Sequence, residues 1–218
     1  MIVWIFREQR SGSTAFTSLV ANQLNRIDKF VRYPEDIELV KNISNLEDYV
    51  FSSHFYNFIE IMNLFDKPVT LIRCARKDKI ERCMSYLIAK YKTKQIVNNI
   101  NPWNIIRHED GIADFETFMS NIEPTLFSKK EIYNYLRYCT EMNQYWERYA
   151  SSYQNCTVFY EDLCTDMGVD LPMLGLTSLS IANDDSTTIK MPSYKEQICI
   201  NYDMVSRWIT EYYLENAI

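Results

Sequence analysis

Apolar and polar positions along the chain fall into blocks of two kinds. Short runs rich in β-branched and aromatic residues, Ile2–Phe6, Tyr49–Ser52, Val69–Arg73 and Cys156–Tyr160, are apolar at mostly successive positions, the pattern of strands covered on both faces. Between them lie longer segments whose apolar residues recur every three or four positions, predicting helices over Thr14–Asn25, Phe55–Phe65 and Lys79–Lys92. From Lys129 to Ser151, Ile132, Leu136, Cys139, Met142, Trp146 and Tyr149 make one amphipathic stripe, and a last helix is expected at Tyr202–Leu214. Strands alternating with helices predict an α/β fold, a three-layer α/β/α arrangement around a central, mostly parallel sheet. Ligands of such sheets bind at the carboxyl ends of the strands. Lys92–Glu131 and Thr177–Pro192 are weakly patterned and read as loop-rich, and no internal repeat is visible.

Length and composition narrow the picture. A chain of 218 residues suits one compact domain, expected over 1–218, and its 47% hydrophobic content suits a packed core rather than disorder. No run approaches the length of a membrane span, and the first residues lack the basic start and cleavage site of a signal peptide, so a cytoplasmic protein is expected. The formal charge of −6 argues against a general nucleic-acid binder. Six cysteines without a CxxC pair or a histidine at ligand spacing predict reduced, mostly buried thiols and no metal. An anion site in such a chain has to be local.

Two segments have the chemistry for one. Gly12 is the only glycine before Gly111, and it lies in Arg7-Glu8-Gln9-Arg10-Ser11-Gly12-Ser13-Thr14, between the first strand and the first helix. Free N–H groups and the helix dipole at such a junction favour a phosphate or sulfate, Arg10 adds charge-assisted hydrogen bonds, and Ser11, Ser13 and Thr14 add hydroxyls. A Walker loop needs a second glycine and a Gly-Lys-Ser/Thr ending, and this sequence has neither. The second segment runs from Val69–Arg73 into Cys74-Ala75-Arg76-Lys77-Asp78-Lys79-Ile80-Glu81-Arg82, a basic cluster in an acidic chain. Lys79 and Arg82 read as solvated charges of a helix start. Arg73, Arg76 and Lys77 fall instead where a strand ends and a helix begins.

Arg10-Ser11-Gly12-Ser13-Thr14 resembles the 5′-phosphosulfate loop of sulfotransferases that use 3′-phosphoadenosine-5′-phosphosulfate (PAPS), with Gln9 in place of the usual proline. The resemblance implies a P-loop-NTPase-like sulfotransferase fold, Arg10 on the sulfate and its bridging oxygen, and the backbone of Gly12 to Thr14 on the 5′-phosphate. The family's 3′-phosphate motif, an arginine ending a strand and a serine eight residues later, is matched by Lys77 and Ser85, with Arg76 one position early. Either Arg76 or Lys77 can hold that phosphate, a bidentate fork in one case and a point charge in the other. Tyr160-Glu161-Asp162-Leu163 is similar to a further family segment, read as mainly structural. Lys190-Met191-Pro192-Ser193-Tyr194-Lys195 with Ile200-Asn201-Tyr202 is similar to a basic loop and helix start of bacterial members, and implies Lys190 or Lys195 over the 3′-phosphate.

Transfer to an acceptor hydroxyl or amine requires a proton acceptor. His54, just after a predicted strand and at the stage of the chain where cytosolic members keep a catalytic histidine, is the first candidate. Glu35 in Tyr33-Pro34-Glu35-Asp36 is the second, because bacterial members use a glutamate in a comparable segment. His108 reads as a surface residue of a polar turn. Phe55, Tyr56, Phe58, Tyr86, Tyr91 and Trp103 either line an acceptor pocket or belong to the core. The expected acceptor is a small molecule, lipid or sugar, the expected product adenosine 3′,5′-bisphosphate, and no metal is required. A nucleotide kinase-like NTP-dependent transferase and a non-catalytic nucleotide-binding protein are the alternatives.

Overall fold

The structure is a computed structural model that describes residues 2–8, 13–26, 30–32, 49–54, 69–92, 123–181 and 195–216. Two compact units emerge, one of Met1–Lys77 with Met142–Asp185 and the other of Asp78–Glu141 with Ser186–Ile218.

The first unit is an α/β sandwich. Strands β1 (Ile2–Arg7), β2 (Phe30–Arg32), β3 (Val50–His54), β4 (Val69–Ala75) and β5 (Gln154–Phe159) form a sheet in the order β2-β3-β1-β4-β5, and every pairing is parallel. β1 is central and its residues Ile2 to Phe6 are buried, as an unbroken apolar run requires. Its alternate side chains serve two cores. Val3 and Ile5 pack with Phe16, Leu19 and Val20 of α1 (Ser13–Gln23). Trp4 and Phe6 pack on the opposite face with Trp146 and Ala150, from the last turns of α3 (Lys129–Ala150). Trp4 stacks on Phe51 at 5.0 Å and donates its indole N–H to Ser53 Oγ at 2.8 Å, so the polar edge of the ring is satisfied inside the core. Helices therefore cover both faces of the sheet.

β5 starts two residues before the Cys156–Tyr160 run and ends at Phe159. Val158 is buried while Cys156, Thr157 and Phe159 are half-buried, because the strand closes the described sheet on one side and has a neighbour only in β4. Tyr160–Leu163, expected at a strand end, forms the short helix α4 directly after β5. An antiparallel pair, β6 (Val169–Leu171) and β7 (Leu176–Leu179), follows, although Thr177–Pro192 reads as loop-rich. It sends Leu171 and Leu179 into the α1-side core. Gly168 precedes it at φ 63°, where a Cβ would come within 2.4 Å of the Leu179 carbonyl oxygen, so glycine is required there.

The second unit is helical. α2 (Lys79–Lys92), the first turns of α3, α5 (Lys195–Ile198) and α6 (Tyr202–Glu215) share a core of Cys83, Met84, Leu87, Ile132, Leu136, Val205 and Ile209. α3 starts with a capping box: Ser128 Oγ accepts from the Glu131 N–H at 3.3 Å, and Glu131 Oε2 accepts from the Ser128 N–H at 3.1 Å. Asn201 precedes α6 and clamps Phe127, accepting from its N–H at 3.1 Å and donating to its carbonyl at 2.9 Å. Tyr86 stacks face to face on Tyr135 at 3.9 Å and Tyr91 meets Phe127 edge-on at 6.2 Å, so both belong with the core side chains.

Arg82 corrects the expectation of a solvated helix start. It is 2% exposed and among the largest fully buried side chains, with Nη2 donating to the Tyr213 hydroxyl at 3.4 Å. The packing of α2 against the other helices of this unit buries it rather than leaving it to water. The six cysteines form no disulfide, and Cys74, Cys83, Cys139 and Cys199 are buried as expected. Among the described residues no helix is long and apolar enough to cross a membrane.

Candidate functional site

Strand order locates the site. From β1 the chain proceeds to β2, on the far side of β3, and from β4 it proceeds to β5, in the opposite direction. Parallel crossovers share one hand, so connections leaving in opposite directions run over opposite faces and leave a crevice at the carboxyl ends of the two strands. α1 and α3 lie on opposite faces, as that argument requires. The switch point is thus between β1 and β4, which pair from Ile2↔Val69 to Arg7↔Cys74.

Both chemistry-bearing segments adjoin these two strand ends. β1 stops at Arg7 and α1 begins at Ser13, so the described residues on either side of the Arg10 segment are the strand and the helix expected there. The Glu8 N–H still donates to the Cys74 carbonyl at 3.2 Å, extending the ladder by one residue. On the α3 face, Arg73 Nε donates to Glu8 Oε1 at 2.8 Å, and Nη2 donates to the same oxygen and to Asn143 Oδ1. The Glu8 and Arg73 side chains are 7% and 12% exposed, so this is a largely buried ion pair fixed from three elements. Arg73 balances a carboxylate and is a scaffold residue of the crevice.

Beyond Ala75, the Lys77 N–H donates to Glu161 Oε2 at 2.9 Å while Glu161 Oε1 faces Arg76 Nε at 3.7 Å. Lys77 Nζ meets Asp162 Oδ1 at 2.5 Å. The Arg76 guanidinium lies 4.8 Å above the Tyr160 ring, and Lys77 Nζ lies 5.4 Å from the centre of the Phe159 ring. Burial, and then a hydrogen bond with Cys164, push the Tyr160 hydroxyl up to about 12, so a neutral ring faces Arg76 at any ordinary pH. These contacts follow from register: β4 and β5 end in step at Ala75↔Phe159, so the next residues of each strand meet. Arg76 and Lys77 together offer a guanidinium, an ammonium and a backbone N–H to an anion.

The other expected residues are placed unevenly. Arg10, Ser11, Gly12, Glu35 and Lys190 lie outside the described residues, as do His108, Phe55, Tyr56, Phe58, Trp103 and the helix expected over Phe55–Phe65. Ser13 and Thr14 supply the backbone of the first turn of α1. His54 ends β3 with Arg7 as its Cα partner, which puts its backbone beside the end of β1. Ser85 is on α2, in the second unit. Lys195 opens α5 rather than lying in a loop, and its Nζ contacts Glu81 of α2.

Sequence reading missed Glu8 and Asn143 altogether and passed over Glu161 and Asp162 as structural. The signal available for the last two is complementarity, an acidic pair after one strand and a basic pair after another. No family model, curated protein or solved structure matches the chain.

Proposed function

We propose that the chain is a PAPS-dependent sulfotransferase with a P-loop-NTPase-like scaffold, transferring a sulfuryl group to a hydroxyl or amine of a small-molecule, lipid or sugar acceptor without a metal. The observation that carries this reading is the adjacency of β1 and β4 at the switch point. The segments that resemble the family's 5′-phosphosulfate and 3′-phosphate motifs follow neighbouring parallel strands, so one nucleotide could reach both.

Under this reading Arg10 neutralises charge on the transferring sulfate, and the backbone of Gly12 to Thr14 holds the 5′-phosphate. Arg76 and Lys77 hold the 3′-phosphate; supporting this, their donors already face carboxylate oxygens, the same kind of acceptor a phosphate offers. In-line transfer between oxygens calls mainly for positioning and electrostatic stabilisation, with His54 or Glu35 taking the acceptor proton. Arg73, bound to Glu8, keeps the ends of β1 and β4 together.

Calorimetric titration with adenosine 3′,5′-bisphosphate in the absence of metal, against ATP with Mg²⁺, tests the reading. Tighter binding of the bisphosphate is expected, followed by turnover of PAPS in an acceptor screen. Preference for ATP with Mg²⁺ overturns it in favour of a kinase-like transferase, and bisphosphate binding without turnover on any acceptor identifies a non-catalytic nucleotide binder.

A further inference from the structure

The basic pair at the end of β4 already has an internal anion. Glu161 bridges the Lys77 N–H and the Arg76 guanidinium, and Asp162 takes the Lys77 ammonium. A backbone N–H, a guanidinium and an ammonium are the donors a phosphate monoester uses, and two carboxylates hold all three. The four side chains differ in how firmly they are committed. Lys77 and Asp162 are 52% and 40% exposed, a pair that water and salt weaken, whereas Arg76 is 17% exposed and is also supported from below by the Tyr160 ring.

We infer that Glu161 and Asp162 are specificity-determining residues that compete with the 3′-phosphate of the nucleotide for Arg76 and Lys77. This rests on the PAPS reading and adds residues to it. A phosphate monoester carries close to two negative charges at neutral pH and can displace a solvent-weakened carboxylate from Lys77. Arg76 stays aimed while Glu161 is displaced, because its ring contact does not depend on the carboxylate. A nucleotide lacking the 3′-phosphate leaves both carboxylates where they are. The acidic pair thereby sets how much affinity the 3′-phosphate adds, and it rejects singly charged anions from the same donors.

Glu161→Gln/Asp162→Asn isolates the charge, since the glutamine amide keeps an acceptor for the Lys77 N–H. Wild type and variant are titrated with adenosine 3′,5′-bisphosphate and with adenosine 5′-phosphate, which lacks the 3′-phosphate, and circular dichroism checks that both proteins are folded. The variant is expected to bind the bisphosphate about tenfold more tightly, a gain of about 1.4 kcal/mol, with the 5′-phosphate unchanged. Glu161→Gln alone gives a smaller gain in the same direction. Wild type that binds the bisphosphate, with a variant that binds it no better, overturns the competition and leaves the nucleotide reading standing. Equal gains for both nucleotides overturn it too, as a general charge effect. Failure of both proteins to bind either nucleotide overturns the reading and the competition together.

Discussion

Buried arginines meet different surroundings in the two units. In the sheet unit, Arg73 lies at a strand end and faces a carboxylate, Glu8, on the neighbouring strand and an amide, Asn143, on the covering helix. In the helical unit, Arg82 meets the Tyr213 hydroxyl, and its positive charge acts on Cys83 and Tyr135. Burial pushes the Cys83 thiol and the Tyr135 hydroxyl upward, with Arg82 opposing that shift, so these neighbours stay neutral. A sheet groups charges by face: Arg73 pairs in register with Phe6, and Glu8, two residues further on, lies on the same face and reaches it diagonally. A helix bundle groups them by which faces pack: Lys195 on α5 meets Glu81 on α2, and Arg82, inside the core, meets the hydroxyl of Tyr213, which packs there.

The comparison breaks first at Arg82. Arg82→Ala removes one of the largest fully buried side chains, leaves a cavity and strips the Tyr213 hydroxyl of a donor. Urea unfolding is expected to show a loss of about 3 kcal/mol. A loss below about 0.5 kcal/mol would mean the side chain contributes little to the helical core, as surface substitutions do.

Glu8→Ala is next, at about 2 kcal/mol, because it leaves the Arg73 guanidinium nearly buried beside Asn143 without its carboxylate. If matching of charge is what the sheet unit requires, Glu8→Met/Arg73→Met recovers most of that loss, since apolar side chains of similar volume replace a buried pair at little cost. A double variant as unstable as the single one would show that the strand ends need the ionic groups themselves.

Both expectations depend on contacts of unequal legibility. The strands at Ile2, Val50, Val69 and Cys156 were readable because continuous apolar runs have few other uses, and α2 was readable to the residue from its stripe. β2 was not, since Phe30–Arg32 is too short to show a period. The β6–β7 pair hid for a related reason: only Leu171 and Leu179 are turned fully inward, and its real marks are Gly168 before the first strand and Pro172 and Gly175 at the turn. The strand before Gly12 and the helix after it were legible from local pattern alone. Glu8 and Arg73 are 65 residues apart, and Lys77 and Asp162 are 85 apart, so neither pairing exists in a local window. Arg82 was misread because charge near a helix start is ordinarily solvated, and only the packing of α2 against other helices overrides that.

The smallest expected change tests the most exposed of these pairs. Lys77 and Asp162 have over a third of each side chain in water, where Coulomb attraction is screened and the long lysine side chain loses freedom by holding one geometry. Asp162→Ala should therefore cost less than about 0.5 kcal/mol in the same urea titration, well below the loss for Glu8→Ala. Register still carries the strand ends together through Ala75↔Phe159, and Glu161 still accepts from the Lys77 N–H, so nothing in the backbone depends on the removed carboxylate. A loss near 2 kcal/mol would put Lys77 in the same class as Arg73, as a charge committed to the scaffold. A negligible one leaves its ammonium available for exchange between a carboxylate and an incoming phosphate, and that availability is what separates a ligand-binding cation from a structural one at the same edge of the sheet.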